Sequence, residues 1–208
     1  MATVTIIDYG MGNLRSIQKG LEKAGAETML SSDIEEIKDA SALVLPGVGA
    51  FEEAIKRLES GGFSTVIRDK VDQGTPLLGV CLGMQLLFES STEGGFFGGL
   101  KILPGAVDRF PSDLGIKIPH MGWNELVFKQ PDHFLLQNIP EGSYVYFVHS
   151  YHPITDEAHI IATTVYGLEF ACIVKNDAGN VVATQFHPEK SSDTGIAMLE
   201  NFVNFCKN

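Results

Sequence analysis

The chain has 208 residues, 44% of them hydrophobic and 20% charged, a balance that allows a sizeable buried core. Lys and Arg number 15 against 26 Asp and Glu, a formal net charge of −11. No basic run is present, so the clustered cations that track phosphates are missing and a nucleic-acid surface is excluded.

The N-terminal run MATVTIIDYG is short and is interrupted by Asp8. It lacks the charged start and long apolar stretch of a signal peptide, and no run of about 18 apolar residues predicts a membrane span. The cysteines Cys81, Cys172 and Cys206 lie far apart with no C-x-x-C pair, which argues against a disulfide framework or structural zinc. A reducing cytoplasm is the expected setting.

The first half alternates strand and helix signals. TVTIID reads as a buried strand. It is followed by a turn and a helix with Leu14, Ile17, Leu21 and Ala24 on one face and Gly25 as its stop. AETML and SALVLPG read as further strands, and Phe51–Glu59 and Phe63–Gln73 as helices. PLLGV is a strand leading into a helix over Leu82–Ser90, with Met84, Leu87 and Phe88 on one side. Repeated strand-then-helix order predicts a mainly parallel sheet flanked by helices. After STEGGFFGG the pattern changes to short strand-like runs, GAVDRF, NELVFK, YVYFVHSY, IIATTVYG, FACIVKN and VVATQFH, expected as antiparallel additions to the sheet. A last helix, Asp193–Cys206, directs Ile196, Leu199, Phe202, Val203 and Cys206 inward. With no repeat and no linker, one α/β domain over 1–208 is the economical reading.

Chemistry concentrates around GVCLG. A strand, a single cysteine and a helix make a sharp turn that projects one side chain, with Gly79 and Gly83 relieving the crowding. Cys81 then sits at a helix start, where N–H groups favour thiolate and the Leu82 N–H supplies half of an oxyanion hole. The stretch alone is equally consistent with a buried core cysteine. A nucleophile needs a base and an orienting acid. In QFHPEKSS, His187 and Glu189 lie two apart and, on an extended segment, point to one face. Their alternative is a surface histidine beside a solvated glutamate. The order Cys, His, Glu disfavours the α/β-hydrolase fold. The Gly-rich turn in VLPGVGAF would offer the second oxyanion donor from Val48 or Gly49, or would be a plain strand-to-helix turn.

GVCLGMQ together with FHPE resembles the class I, triad-type glutamine amidotransferases, which have a flavodoxin-like fold. IIDYGMGN, LPGVGAF, PHMGWNEL and YFVHSYH are similar, within them, to the glutaminase subunits of imidazole glycerol phosphate synthases of histidine biosynthesis. The resemblance runs from Asp8 to Ser192. It implies that Cys81 attacks the side-chain amide of glutamine, that His187 protonates the departing ammonia and that water releases glutamate from a thioester. It places Gln85 and Glu93 on the glutamine head group and backbone around Gly49, Ser150 and Tyr151 along the pocket. It also implies a heterodimer with a (β/α)8-barrel cyclase subunit that receives the ammonia. Asn13, His120, Met121, Trp123, Asn124, Tyr146 and Lys190 would face that partner.

The remaining candidates carry less. GMGN fails the dinucleotide fingerprint because Arg15 stands where the third glycine belongs, so no cofactor is expected, and Asn13 reads as a helix cap. His149 and His152 lack the partner spacing of a metal site and are expected near substrate-pocket backbone. Cys172 and Cys206 are expected in the core, His133 and His159 in solvated loops. Trp123, read from the residues alone, is either core or interface anchor. The rival readings are a free-standing γ-glutamyl hydrolase, the glutaminase of pyridoxal phosphate synthase and a non-catalytic binding protein of the same fold. The second of these carries Gly-Gly-Glu-Ser where this chain has GVGAFE.

Overall fold

The computed structural model describes residues 3–207. Residues 1, 2 and 208, the ends of the expected 1–208 domain and the start of the run weighed as a signal peptide, lie outside the described residues. The first half runs β1 (Thr3–Ile7), α1 (Leu14–Lys23), β2 (Glu27–Ser31), α2 (Ile34–Asp39), β3 (Leu43–Leu45), α3 (Phe51–Ser60), α4 (Phe63–Asp72), β4 (Leu77–Val80) and α5 (Leu82–Leu86). The second half contains β5 (Ser90–Ser91), β6 (Phe97–Gly98), β7 (Ala106–Arg109), β8 (His120–Glu125) and β9 (Val127–Phe128). It continues with β10 (Tyr144–His149), β11 (Tyr151–Ile154), β12 (Ile160–Tyr166), β13 (Leu168–Lys175), β14 (Val181–Thr184) and α6 (Ser192–Phe205).

The main sheet has eight strands in the order β2-β1-β3-β4-β14-β13-β12-β9. The run from β2 to β14 is parallel, and β13, β12 and β9 add antiparallel to it. Alternate residues of the inner parallel strands β1, β3, β4 and β14 enter two apolar cores. Val44, Leu78, Val80 and Val182 pack on the side of α1 and α6, while Leu43, Leu45, Leu77 and Val181 pack on the side of α2, α3 and α4. Burial on both faces is why these strands read as unbroken apolar runs.

Several expectations are corrected. VVATQFH is not an antiparallel addition, because β14 lies parallel to β4 in the heart of the sheet. β10 and β8 form a sheet of their own, and β11, β7, β5 and β6 form another. The helix expected over Leu82–Ser90 stops at Leu86. The carbonyls of Leu86, Leu87 and Phe88 instead accept from the N–H groups of residues 100–103, which removes the acceptors a longer helix needs. α2 is an element beyond those expected, and Asp33 caps it by accepting from the Glu35 N–H. In α6 the buried side is completed by Met198, while Ile196 and Cys206 are only half-buried.

Candidate active site

Three neighbouring parallel strands, β3, β4 and β14, end side by side at one sheet edge. Their carboxyl ends carry the Gly47–Gly49 turn, Cys81 and the Gln185–His187 segment, and ligands of open α/β sheets bind at such edges. At the turn between β4 and α5, Cys81 has φ 55° and ψ −110°, a conformation L-residues rarely take. The Cys81 N–H donates to the Thr184 carbonyl at 2.8 Å, fixing the turn to β14. A Cβ on Gly83 would lie 1.9 Å from the Leu45 carbonyl oxygen, and one on Gly47 would lie 2.8 Å from the Gly83 nitrogen. The glycines are therefore needed for close approach of two strand ends.

His187 closes the corner. Its Nδ1–H donates to Glu189 Oε1 at 2.9 Å, which leaves Nε2 for the Cys81 thiol. The extended segment expected for the pair is not what the structure shows. Pro188–Lys190 is a single 3-10 turn, and it is this turn that folds the carboxylate back onto the ring. Burial alone would lower the His187 pKa, but hydrogen bonds and charge from Cys81 and Glu189 outweigh it and hold the group up to about 9. The imidazolium is the form favoured at neutral pH. The His187 and Glu189 side chains are 4% and 2% exposed, so neither is a solvated surface group.

A cavity of about 360 Å³ opens over this corner. It is lined by Cys81, Leu82, Gln85, Glu93, Val48, Gly49, Ser150, Tyr151, His187 and Lys190. Glu93 accepts from the Phe51 N–H at the start of α3, 2.9 Å away, and burial raises its pKa against that bond. The Ser150 carbonyl is taken by the Phe110 N–H. Sequence reasoning missed Pro119 and Val148, which also line the cavity, and placed His149 only by its neighbours. His149 donates its Nδ1–H to the Tyr151 carbonyl at 2.7 Å and meets His120 Nδ1 with Nε2 at 3.0 Å, so neither nitrogen is left for a metal. Burial, followed by the charges of the surrounding histidines, pushes its pKa down to about 3 despite the Tyr151 bond.

The residues expected at a partner surface divide in two. On β8, paired with β10 so that Trp123 faces Tyr146 and Met121 faces Val148, side chains alternate. Met121 and Trp123 point outward, 62% and 47% exposed. His120 points inward, contrary to expectation, and its ring stacks on Tyr166 and Phe147. Asn124 is half-buried and spends its amide on His120 Nε2 and the Val165 carbonyl. Lys190 and Asn13 are exposed and Tyr146 half-buried. Asn13 stands at the start of α1 but makes no side-chain cap. The outward strand is tied to the corner. The His187 N–H donates to the Tyr146 carbonyl, and the Tyr146 N–H donates to Ser191 Oγ.

Two loop histidines also differ from expectation. His159 is buried with Nε2 3.2 Å from Asp177, and half-buried His133 accepts from the Leu135 N–H with its pKa pushed down to about 4, first by burial and then by Lys175. Cys172 is buried, Cys206 only partly so.

Residues 5–205 match the family model "Glutamine amidotransferase class-I". The chain is 50% identical over 206 residues to "Imidazole glycerol phosphate synthase subunit HisH" of Methanosarcina acetivorans, covering 99% of this chain and 100% of that one. It is 48% identical to the protein of the same name from Geobacter metallireducens, covering 98% of each. Among solved structures, PurLQS from Thermotoga maritima superposes with a TM-score of 0.76 at 18% identity, covering 98% of each chain, a likeness of fold alone. With the family model spanning nearly its whole length, the chain belongs to the class I glutamine amidotransferases.

Proposed function

We propose that this chain is the glutaminase subunit of an imidazole glycerol phosphate synthase in histidine biosynthesis, working in the cytoplasm with a (β/α)8-barrel cyclase as a heterodimer. The observation that carries the reading is the buried His187, bonded to Glu189 through Nδ1 and sharing one cavity with Cys81, whose thiol and Glu189 together hold its pKa up, in a space that fits an amino acid. The names of relatives at about half identity choose this member of the family over a free-standing hydrolase or another pathway's glutaminase.

The Cys81 thiolate attacks the amide carbon of glutamine, and the carbonyl oxygen takes the negative charge. The N–H of Leu82 and one from the Val48–Gly49 turn receive it. His187 gives its proton to the nitrogen, the C–N bond breaks and ammonia leaves a thioester on Cys81. Neutral His187 then takes a proton from water, hydroxide adds to the thioester and glutamate is released with Cys81 and His187 restored. Glu189 keeps the ring oriented and balances its charge. Gln85 and Glu93 hold the α-ammonium end of the substrate. The outward face with Met121, Trp123, Tyr146 and Lys190 receives the cyclase, which joins the ammonia to a ribulosyl phosphate intermediate to form imidazole glycerol phosphate and an aminoimidazole carboxamide ribotide. The test is glutamine carrying ¹⁵N in its side-chain amide, supplied to the chain with a cyclase subunit and its substrate. The label is expected in the imidazole ring, and an unlabelled ring would reject the reading.

A further inference from the structure

The mechanism above leaves one buried polar side chain beside the nucleophile unused. Gln185 has no exposed surface and lies between β14 and His187. Its backbone N–H donates to the Cys172 carbonyl at 2.9 Å, which fixes it to β13. Its side chain bridges two groups of the pocket. Gln185 Oε1 accepts from Gln85 Nε2 at 3.1 Å, and Gln185 Nε2 faces Cys81 Sγ at 4.0 Å.

The amide count makes this bridge directional. Gln85 Nε2 has two hydrogens, and both are used, one by Gln185 Oε1 and one by the Tyr151 carbonyl at 3.1 Å. A flipped Gln85 amide would set its oxygen against the Tyr151 carbonyl, which can only accept, so Gln185 in turn presents Oε1 to the second hydrogen. Gln85 is therefore held with Oε1 as its free polar atom, and Oε1 has no protein partner among the described residues. An acceptor is what the α-ammonium of an amino-acid substrate requires. With Oε1 of Gln185 spent on Gln85, its Nε2 is turned toward the sulfur, where an N–H donor favours negative charge.

We propose that Gln185 is a positioning residue with two separate duties: its oxygen locks the Gln85 amide with an acceptor toward the substrate ammonium, and its N–H supports charge on the Cys81 sulfur. The inference rests on the reading of Cys81 as nucleophile and Gln85 as substrate contact. It adds a physical link between substrate recognition and thiol reactivity, made through one side chain that touches neither the substrate nor the leaving group.

Two variants separate the duties, each studied as the full chain in complex with the cyclase, with thermal melting as the control for folding. Gln185→Met removes both polar ends at similar volume. It is expected to raise KM for glutamine about tenfold and to slow iodoacetamide alkylation of Cys81 at neutral pH about tenfold, read by mass spectrometry on the Cys81 peptide. Gln185→Glu keeps an acceptor for Gln85 but replaces the donor with an acceptor. It is expected to leave KM within about twofold of the starting protein while alkylation slows by about tenfold or more. If one variant does not fold, the other still decides. A folded Gln185→Met with both readouts within about twofold of the starting protein overturns the proposal, as does a Gln185→Glu variant with a KM raised about tenfold or with unchanged alkylation. Failure of the starting complex to hydrolyse glutamine through Cys81 would reject the proposed function instead, and the two failures are distinct.

Discussion

On the Cys81 side of the cavity almost every group is tied down. The Cys81 N–H is bonded to β14, His187 is bonded through its backbone to Tyr146 and through its ring to Glu189, and Ser191 Oγ donates to the His187 carbonyl. The turn across the cavity is built differently. Its base is held, because Tyr9 donates its hydroxyl to the Pro46 carbonyl and Gly47 packs against the start of α5. Beyond that point Val48 is 39% exposed, and the Val48 and Gly49 N–H groups have no protein acceptor among the described residues. Gly49 takes φ 100°, where only glycine is unstrained. Under the proposed roles, the contrast teaches that Cys81 and His187 are already held in place in the isolated chain, whereas the N–H groups offered as the second oxyanion donor sit on a turn with no protein acceptors to fix them. Of the two glycines, Gly47 serves packing and Gly49 supplies the conformational freedom.

The sharpest break of this contrast is Cys81→Ala, which removes the preassembled side outright. Glutamine-dependent synthesis by the complex should fall on the order of 10⁵-fold or more, while synthesis from added ammonium persists. Loss of both would show that the two chemistries are not separate. His187→Asn should fail at the same step, and combining it with Cys81→Ala should add almost nothing, as for residues that act as a unit.

Next in size is Glu189→Gln, expected to slow hydrolysis by about 10²–10⁴-fold with the fold retained. It also carries a pH signature. His187 must be protonated to release ammonia, so activity should decline as pH rises through about 9, and removing Glu189 takes away one of the contributions that hold that value up. The alkaline limb should therefore move to lower pH. The same sign governs stability. A histidine whose folded pKa exceeds its unfolded value of about 6.5 contributes fully below that value, and the contribution is lost as pH rises through about 9. An unmoved limb in Glu189→Gln would remove Glu189 from this role.

Smallest is the outward face. Met121→Ala with Trp123→Ala should weaken association with the cyclase by roughly 2 kcal/mol, about thirtyfold, measured by calorimetry. His120→Ala should instead lower thermal stability, because its ring is buried between Tyr166 and Phe147. Loss of partner affinity without loss of stability in that variant would reverse the assignment.

The parallel half of the fold was legible because strands buried on both faces have no competing pattern, and the G-x-C-x-G turn marked where the sheet edge becomes chemical. The second half was less so. HMGWNE alternates in the same way whichever sheet it joins, and only pairing with β10 decides that His120 turns in and Met121 out. His187 and Glu189 were found together, yet their contact depends on a 3-10 turn that an extended reading does not contain. Gln185 was visible in QFHPE but carried no signal, since a buried amide's role is set by the partners it meets across the fold, Gln85 and Cys81, about 100 residues away in sequence. His159 sits in a polar stretch and is buried by tertiary packing that local composition does not show.

The most direct test of the contrast between a finished nucleophile and an unclamped oxyanion turn is the glutaminase rate of the isolated chain beside that of the complex with a ligand-bound cyclase. One missing oxyanion donor costs about 10²–10³-fold, so the partner is expected to raise the rate at least about a hundredfold by favouring the turn orientation that points an N–H into the cavity. An isolated chain that hydrolyses glutamine as fast as the complex would contradict it.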